Sequence, residues 1–237
     1  MNVEFVPIEI DETTPDDIQS LWQWVDETNL AATTRRELIS NGLRTGRVID
    51  AERFRSRLDS MTQPKSVVDQ FLSQADVASE VSHGGRRIPM RTGRRYELPV
   101  RQPIEGSHVS LVRLDGELFG RTLVDPQFLL ALTPTSGNTP QQINLRFRPE
   151  IQHGSMRQSW VSSDTALRID TRRETWSIDQ LDFMLTGVEN DTFVMGTTAE
   201  RIGLGKQMLS GTSSDNTHQQ VVVLITLAQV PTPADQI

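Results

Sequence analysis

Cysteine is absent from this chain of 237 residues. Disulfides, zinc–thiolate sites and a cysteine nucleophile are therefore excluded. Lysine is nearly absent too, since 22 of the 24 basic residues are arginine. Aromatics are scarce at 5%, with 8 Phe, 4 Trp and 1 Tyr. That is thin for a base-stacking nucleic-acid binder and for a membrane barrel with aromatic girdles. No apolar run approaches the roughly 20 residues of a spanning helix. The longest, Val221 to Ala228, has strand length. The first residues show neither a basic n-region nor a continuous apolar stretch, so no signal peptide is visible. A chain that opens inside a strand points instead to trimming of a longer precursor. An in-frame signal upstream would place the protein in the cell envelope, as periplasmic or outer-membrane associated; without one it would be cytoplasmic.

What is present is an uneven charge distribution. The net charge of −7 divides into −8 over residues 1–34 (no base), +6 over 35–101 (14 bases, 8 acids) and −5 over 102–237 (10 bases, 15 acids). The basic segment peaks at Arg86, Arg87, Arg91, Arg94, Arg95 and Arg101, with Glu97 the one acid among them. Thr92-Gly93 suggests that these arginines ride on a hairpin, where alternate residues share a face and guanidinium groups converge. Three readings stay open. The hairpin is kept soluble by its charge, docks on an acidic surface such as Asp16, Asp17, Asp26 and Glu27, or takes an anionic ligand. A nucleic acid is poorly supported, because Tyr96 is the lone aromatic in the cluster.

The hydrophobic period changes along the chain. Val3 to Ile10 alternate as a strand. Thr14-Pro15-Asp16-Asp17 is a helix start, followed by Ile18, Leu21, Trp22 and Val25 on one face. Thr34-x-x-Glu37 reads as a capping box for a second helix that stops at Asn41-Gly42. Asp50 caps a third, with Phe54, Leu58 and Met61 on one side, and Val67 to Ala75 suggest a fourth. From about Ser79 the period becomes 2. Strands are expected at 86–89 and 96–100, and a hairpin at 109–123 around Asp115-Gly116. Further strands follow at 128–135, 143–151 and 181–185, with Phe193 to Gly196 returning as partner of the last. Residues 203–217 read as a loop, and Val221 to Leu227, apolar on both faces, as a covered central strand. The expected class is α+β, with an opening strand and a helical N-terminal segment before a mostly antiparallel β region. The divisions are 1–78 (opening strand and helices), 79–125 (hairpin module), 126–232 (β domain) and 233–237 (tail).

Within that last β region, Phe128 to Thr135, the polar break after it and Ile143 to Glu150 come first. Arg172 to Thr175, Leu181 to Leu185, Val188 to Gly196 and Gln220 to Thr226 follow. This order of segments, over roughly 126–228, resembles a secretin domain, the ring-forming outer-membrane component of bacterial type II and type III secretion systems. The opening Val3 to Ile10 is similar to the strand that begins such domains, and Leu21 to Gly46 resembles uncharacterised bacterial envelope proteins. Secretins carry a proline- and glycine-bearing gate segment where this chain has Ile202-Gly-Leu-Gly-Lys-Gln-Met-Leu209. The resemblance thus implies a secretin-like β fold in an oligomeric envelope protein without a recognisable pore gate.

Motifs for chemistry are missing. Gly203-Leu-Gly-Lys206 fails as a phosphate loop, because residue 200 is Glu where the first Gly is needed and residue 207 is Gln where Ser or Thr is needed. The histidines at 83, 108, 153 and 218 lie at no ligand spacing, and His153 before Gly154 reads as a strand end. No serine-hydrolase elbow, zinc helix or calcium loop occurs. The sequence therefore suggests no cofactor and no metal. It points to a non-enzymatic structural or assembly component whose partners are copies of itself or other envelope proteins. The alternative is an anion-binding module using the arginine segment, and an enzyme with a spatially assembled carboxylate pair ranks last.

Overall fold

The computed structural model describes residues 1–11, 18–62, 86–139, 141–163, 166–212 and 218–230. Strand β1 (Asn2–Asp11) opens the chain, and a 3-10 helix (Ile18–Trp24) leads into the short β2 (Val25–Asp26). Helix α1 (Ala32–Ser40), β3 (Leu43–Val48) and α2 (Ala51–Thr62) follow. Strands β4 (Arg86–Pro89), β5 (Tyr96–Pro99), β6 (Ser107–Leu114), β7 (Glu117–Val124), β8 (Gln127–Ser136), β9 (Ile143–Ser163) and β10 (Ala166–Ser177) come next. A 3-10 turn (Asp179–Leu181), β11 (Phe183–Gly187), β12 (Thr192–Thr197), α3 (Gly203–Leu209), β13 (Ser210–Thr212) and β14 (His218–Gln229) complete it. The α+β expectation holds in its broad form, with antiparallel strands predominating.

Two sheets share one core. The larger runs β2-β3-β12-β14-β1-β4, with β13 also on β14. The smaller runs β10-β9-β8-β5, with β11 also on β9. Alternation decides which side chains meet. Val3, Phe5, Val223, Ile225 and Phe193 from the first sheet join Leu130, Leu132, Leu145, Phe147 and Phe183 from the second. Phe147 and Phe183 stack with centroids 5.1 Å apart. The opposite face of the first sheet offers Ile10, Val194 and Val222 to Ile18, Leu21, Trp22, Phe54 and Leu58. Strand β14 is thus buried on both faces between β12 and β1, as its unbroken apolar run predicts.

Several local expectations are corrected. The chain over 18–24 winds as a 3-10 helix, because Val25 leaves it to pair with Val48 of β3. Thr34 and Glu37 lie inside α1, which begins at Ala32 behind Ala31 with no side-chain cap, so they form no capping box. Its end is as expected: Asn41 and Gly42 donate back to Leu38 and Ile39, with Gly42 at φ 77°. Asp50 accepts the Arg53 amide at 3.1 Å, as a cap for α2 should. Phe193 to Gly196 does not return beside β11, since β12 joins β3 and β14 while β11 joins β9. Residues 203–209 are helical, with Leu204, Met208 and Leu209 buried. His153 lies within β9, which bends at Gly154 (φ 71°) and continues to Ser163. The expected fourth helix, Thr14 to Asp17 and the tail 233–237 lie outside the described residues. The larger sheet draws strands from both ends of the chain: β1 pairs with β14 along its whole length, and β3 pairs with β12.

Candidate functional site

The arginine segment is not a hairpin. Strand β4 pairs with β1 in the first sheet and β5 with β8 in the second, so residues 86–101 cross between sheets. Each sheet offers a free edge beside an apolar strand, and this tertiary pairing outweighs the local turn. The turn itself forms: Arg94 donates to the Arg91 carbonyl at 3.2 Å and Gly93, at φ 79°, donates to the Pro134 carbonyl at 2.7 Å.

That crossing gives the described arginines different surroundings. Arg95 binds Glu97 at 2.6 Å and also donates to Glu150, whose carboxylate on β9 is 1% exposed. Burial works to raise the Glu97 carboxyl, but hydrogen bonds from Arg95 and Gln152 outweigh it and hold the group below its usual range. Arg101 reaches inward and donates to the Ser210 carbonyl. Burial lowers its pKa, opposed by the charge of Glu9. Arg87, opposite Glu4 on β1, and Arg91 and Arg94 are exposed. Arg94 lies 5.9 Å from the Tyr96 ring centroid, and the Tyr96 hydroxyl accepts the Arg91 amide at 2.6 Å. None of these three guanidiniums pairs with a carboxylate among the described residues. The side chain of Arg86 lies outside them.

Of the four acids expected as partners of the arginines of 86–101, Asp26 and Glu27 are engaged elsewhere in the chain. Glu27 accepts two bonds from Arg44, at 3.0 and 2.9 Å, while the same guanidinium lies 4.3 Å from the Trp22 ring centroid. Asp26 is held below its usual carboxylate range by the hydroxyl and amide of Thr28. Asp16 and Asp17 lie outside the described residues.

A second charged cluster occupies the outer face of the smaller sheet. Asp182 accepts from Arg148 at 2.7 and 2.9 Å and from Arg146 at 3.0 Å. Burial favours its protonated form, yet the two guanidiniums hold it ionised below the ordinary range. The hydrogen bond to Asp182 raises Arg148 in turn. A carboxylate so saturated is a structural anion rather than a proton donor. The alternation of Arg146 and Arg148 marks a wet strand face, but nothing local announces Asp182 as their partner.

A cleft of about 710 Å³ lies between the 3-10 helix and α2, lined by Trp24, Asp50, Glu52, Arg53, Ser56, Arg57 and Ser60. Arg57 donates to Ser20 there at 2.9 Å and Arg53 pairs with Asp50 at 3.5 Å. The cleft holds no histidine and no buried acid pair. Among the described residues no group of three or more His, Asp or Glu could hold a metal ion. No helix among them is long and apolar enough to cross a membrane.

The surface the sequence did not single out is the β6–β7 hairpin, a two-stranded sheet of its own. Its two-residue turn has Asp115 at φ 51° and Gly116 at φ 84°, the geometry that Asp-Gly predicts. Val112, Ser110 and Leu123 on its inner face are buried. Its outer face presents Val109, 59% exposed, Leu118, 57% exposed, and Val124, 51% exposed, beside Leu111. The outer edge of β6 is met at Val109 and Arg113. Asn41 Nδ2 donates to the Arg113 carbonyl at 2.6 Å, Asn41 Oδ1 accepts the Arg113 amide at 2.7 Å, and Gln207 donates to the Val109 carbonyl at 2.9 Å. No family model, no curated protein and no solved structure matches the chain.

Proposed function

We propose that this chain is a non-enzymatic structural subunit of the bacterial envelope that assembles with copies of itself through β surfaces. The observation that carries the assembly is the hairpin: it is held to the body on one face and one edge, and its other face is an exposed apolar strip. Monomers rarely leave several large apolar side chains side by side in water without a partner. The envelope setting rests on the secretin-like order of segments over roughly 126–228. With Asp26 and Glu27 engaged within the chain, assembly relies on apolar β contact rather than on pairing with the arginines of 86–101. Light scattering over a concentration series should give masses above the 26.7 kDa of one chain. A monomer at every concentration, at low and at high salt, would end this reading.

A second reading is favoured by Arg87, Arg91 and Arg94, which stand exposed without a carboxylate among the described residues. They suit a polyanionic surface such as lipid head groups. Arg91→Glu with Arg94→Glu should then abolish binding to vesicles containing anionic lipid. Unchanged binding removes the idea.

A further inference from the structure

The two edges of the β6–β7 hairpin differ. Its two-residue turn makes Leu114–Glu117, Val112–Phe119 and Ser110–Arg121 the hydrogen-bonded pairs. The main-chain groups of alternate residues therefore point outward: Val109, Leu111 and Arg113 from β6, Leu118, Gly120 and Thr122 from β7. On β6, Gln207 meets Val109 and Asn41 meets Arg113, on either side of Leu111. On β7 no backbone hydrogen bond links Leu118, Gly120 or Thr122 to another described residue. The strand also lacks proline and lysine, the residues that usually protect such an edge.

The side chains of this edge are complementary to themselves. Glu117, Phe119 and Arg121 share the inner face, yet all three are exposed, with Phe119 at 44%. Neither Glu117 nor Arg121 meets an opposite charge among the described residues; Arg121 lies over the Trp176 ring, 4.7 Å from its centroid. We infer that β7 pairs antiparallel with β7 of a second copy about a two-fold axis at Phe119, setting each Glu117 opposite the partner subunit's Arg121. This deepens the assembly reading above and rests on it.

The register follows from the outward-pointing groups. Leu118 faces the partner subunit's Gly120 as a hydrogen-bonded pair, so the two such pairs exchange about four main-chain hydrogen bonds. The two Phe119 rings and both Glu117–Arg121 combinations fall at the closer, non-hydrogen-bonded positions, where cross-strand side chains interact most strongly. The outer strips of both hairpins become one apolar surface. A two-fold contact of this kind closes as a dimer.

The test is a charge exchange read by sedimentation equilibrium. The wild-type chain should dimerise. Glu117→Arg alone and Arg121→Glu alone should each raise the dissociation constant at least about tenfold, since each places like charges opposite one another twice. Mixing these two variants in equal amounts should restore a dimer, because every pair is then complementary. The double exchange within one chain should do so as well. Leu118→Pro removes an amide that the monomer does not use, so it should weaken the dimer while circular dichroism stays native. A wild-type oligomer that ignores all of these changes, or a mixture that stays monomeric, overturns the β7 register and leaves self-assembly by another surface. A wild-type chain that is monomeric throughout overturns both.

Discussion

Replacing Asn41 by alanine should loosen the hairpin from the body. The Asn41 side chain is fully buried and makes three hydrogen bonds of good length: to the Glu37 carbonyl at 2.9 Å, to the Arg113 carbonyl at 2.6 Å and from the Arg113 amide at 2.7 Å. The two bonds to Arg113 reproduce, with one amide side chain, the exchange that a neighbouring strand would give. Each such bond is worth about 1 kcal/mol net, and a buried partner left unmatched loses about 1–3 kcal/mol. Alanine leaves the Arg113 amide and carbonyl without their partner, so a loss of roughly 2–4 kcal/mol is expected. Aspartate discriminates further. It retains an acceptor for the Arg113 amide but turns an oxygen toward the carbonyls of Glu37 and Arg113, so at neutral pH it should destabilise more than alanine. Urea unfolding reads the global loss, and hydrogen exchange at the Arg113 amide reads the local one. A loss below about 0.5 kcal/mol with the Arg113 amide still protected would refute the assignment of Asn41 as the latch.

Asp182, held ionised by Arg146 and Arg148, contributes stability present above the ordinary carboxylate pKa and lost as pH falls through its lowered folded value. The difference in urea midpoint between wild type and Asp182→Asn should be constant from about pH 5 to 8 and shrink below about pH 4. A difference independent of pH down to about pH 2 would refute the ion-pair account. Among glycines, Gly205→Ala places a Cβ 2.1 Å from the Gly42 carbonyl oxygen, whereas Gly93→Ala, at φ 79°, meets nothing within 4 Å. The first should lower stability by at least about 2 kcal/mol and the second by only about 1 kcal/mol in thermal melts; equal losses would show that close backbone approach does not explain Gly205.

How far the fold is legible depends on whether the signal is local. The Asp115-Gly116 hairpin, the Asn41-Gly42 helix stop and the cap at Asp50 are read from a few adjacent residues, and all three stand. Helix α3 hides because Gly203 and Gly205 look like loop. In fact Gly205 lets the helix approach Gly42, and its amide donates to the Asn41 carbonyl at 2.7 Å. The spacing of Leu204 and Met208 was the available signal. The latch itself had no local signal, since Asn41 and Arg113 are 72 residues apart.

The sequence by itself determined which residues are apolar, where the period shifts from 3.6 to 2, and where the chain turns. These depend on side-chain chemistry and on backbone freedom at single positions. It also determined the absences: no thiol, little lysine and few aromatics. Only the tertiary structure decided which strand lies beside which. Pairing follows from free edges and a shared core, and these join β1 to β14 across more than two hundred positions. That pairing carries Arg86 to Arg101 from one sheet to the other, turns Arg95 and Arg101 to internal partners and leaves β7 as an open edge.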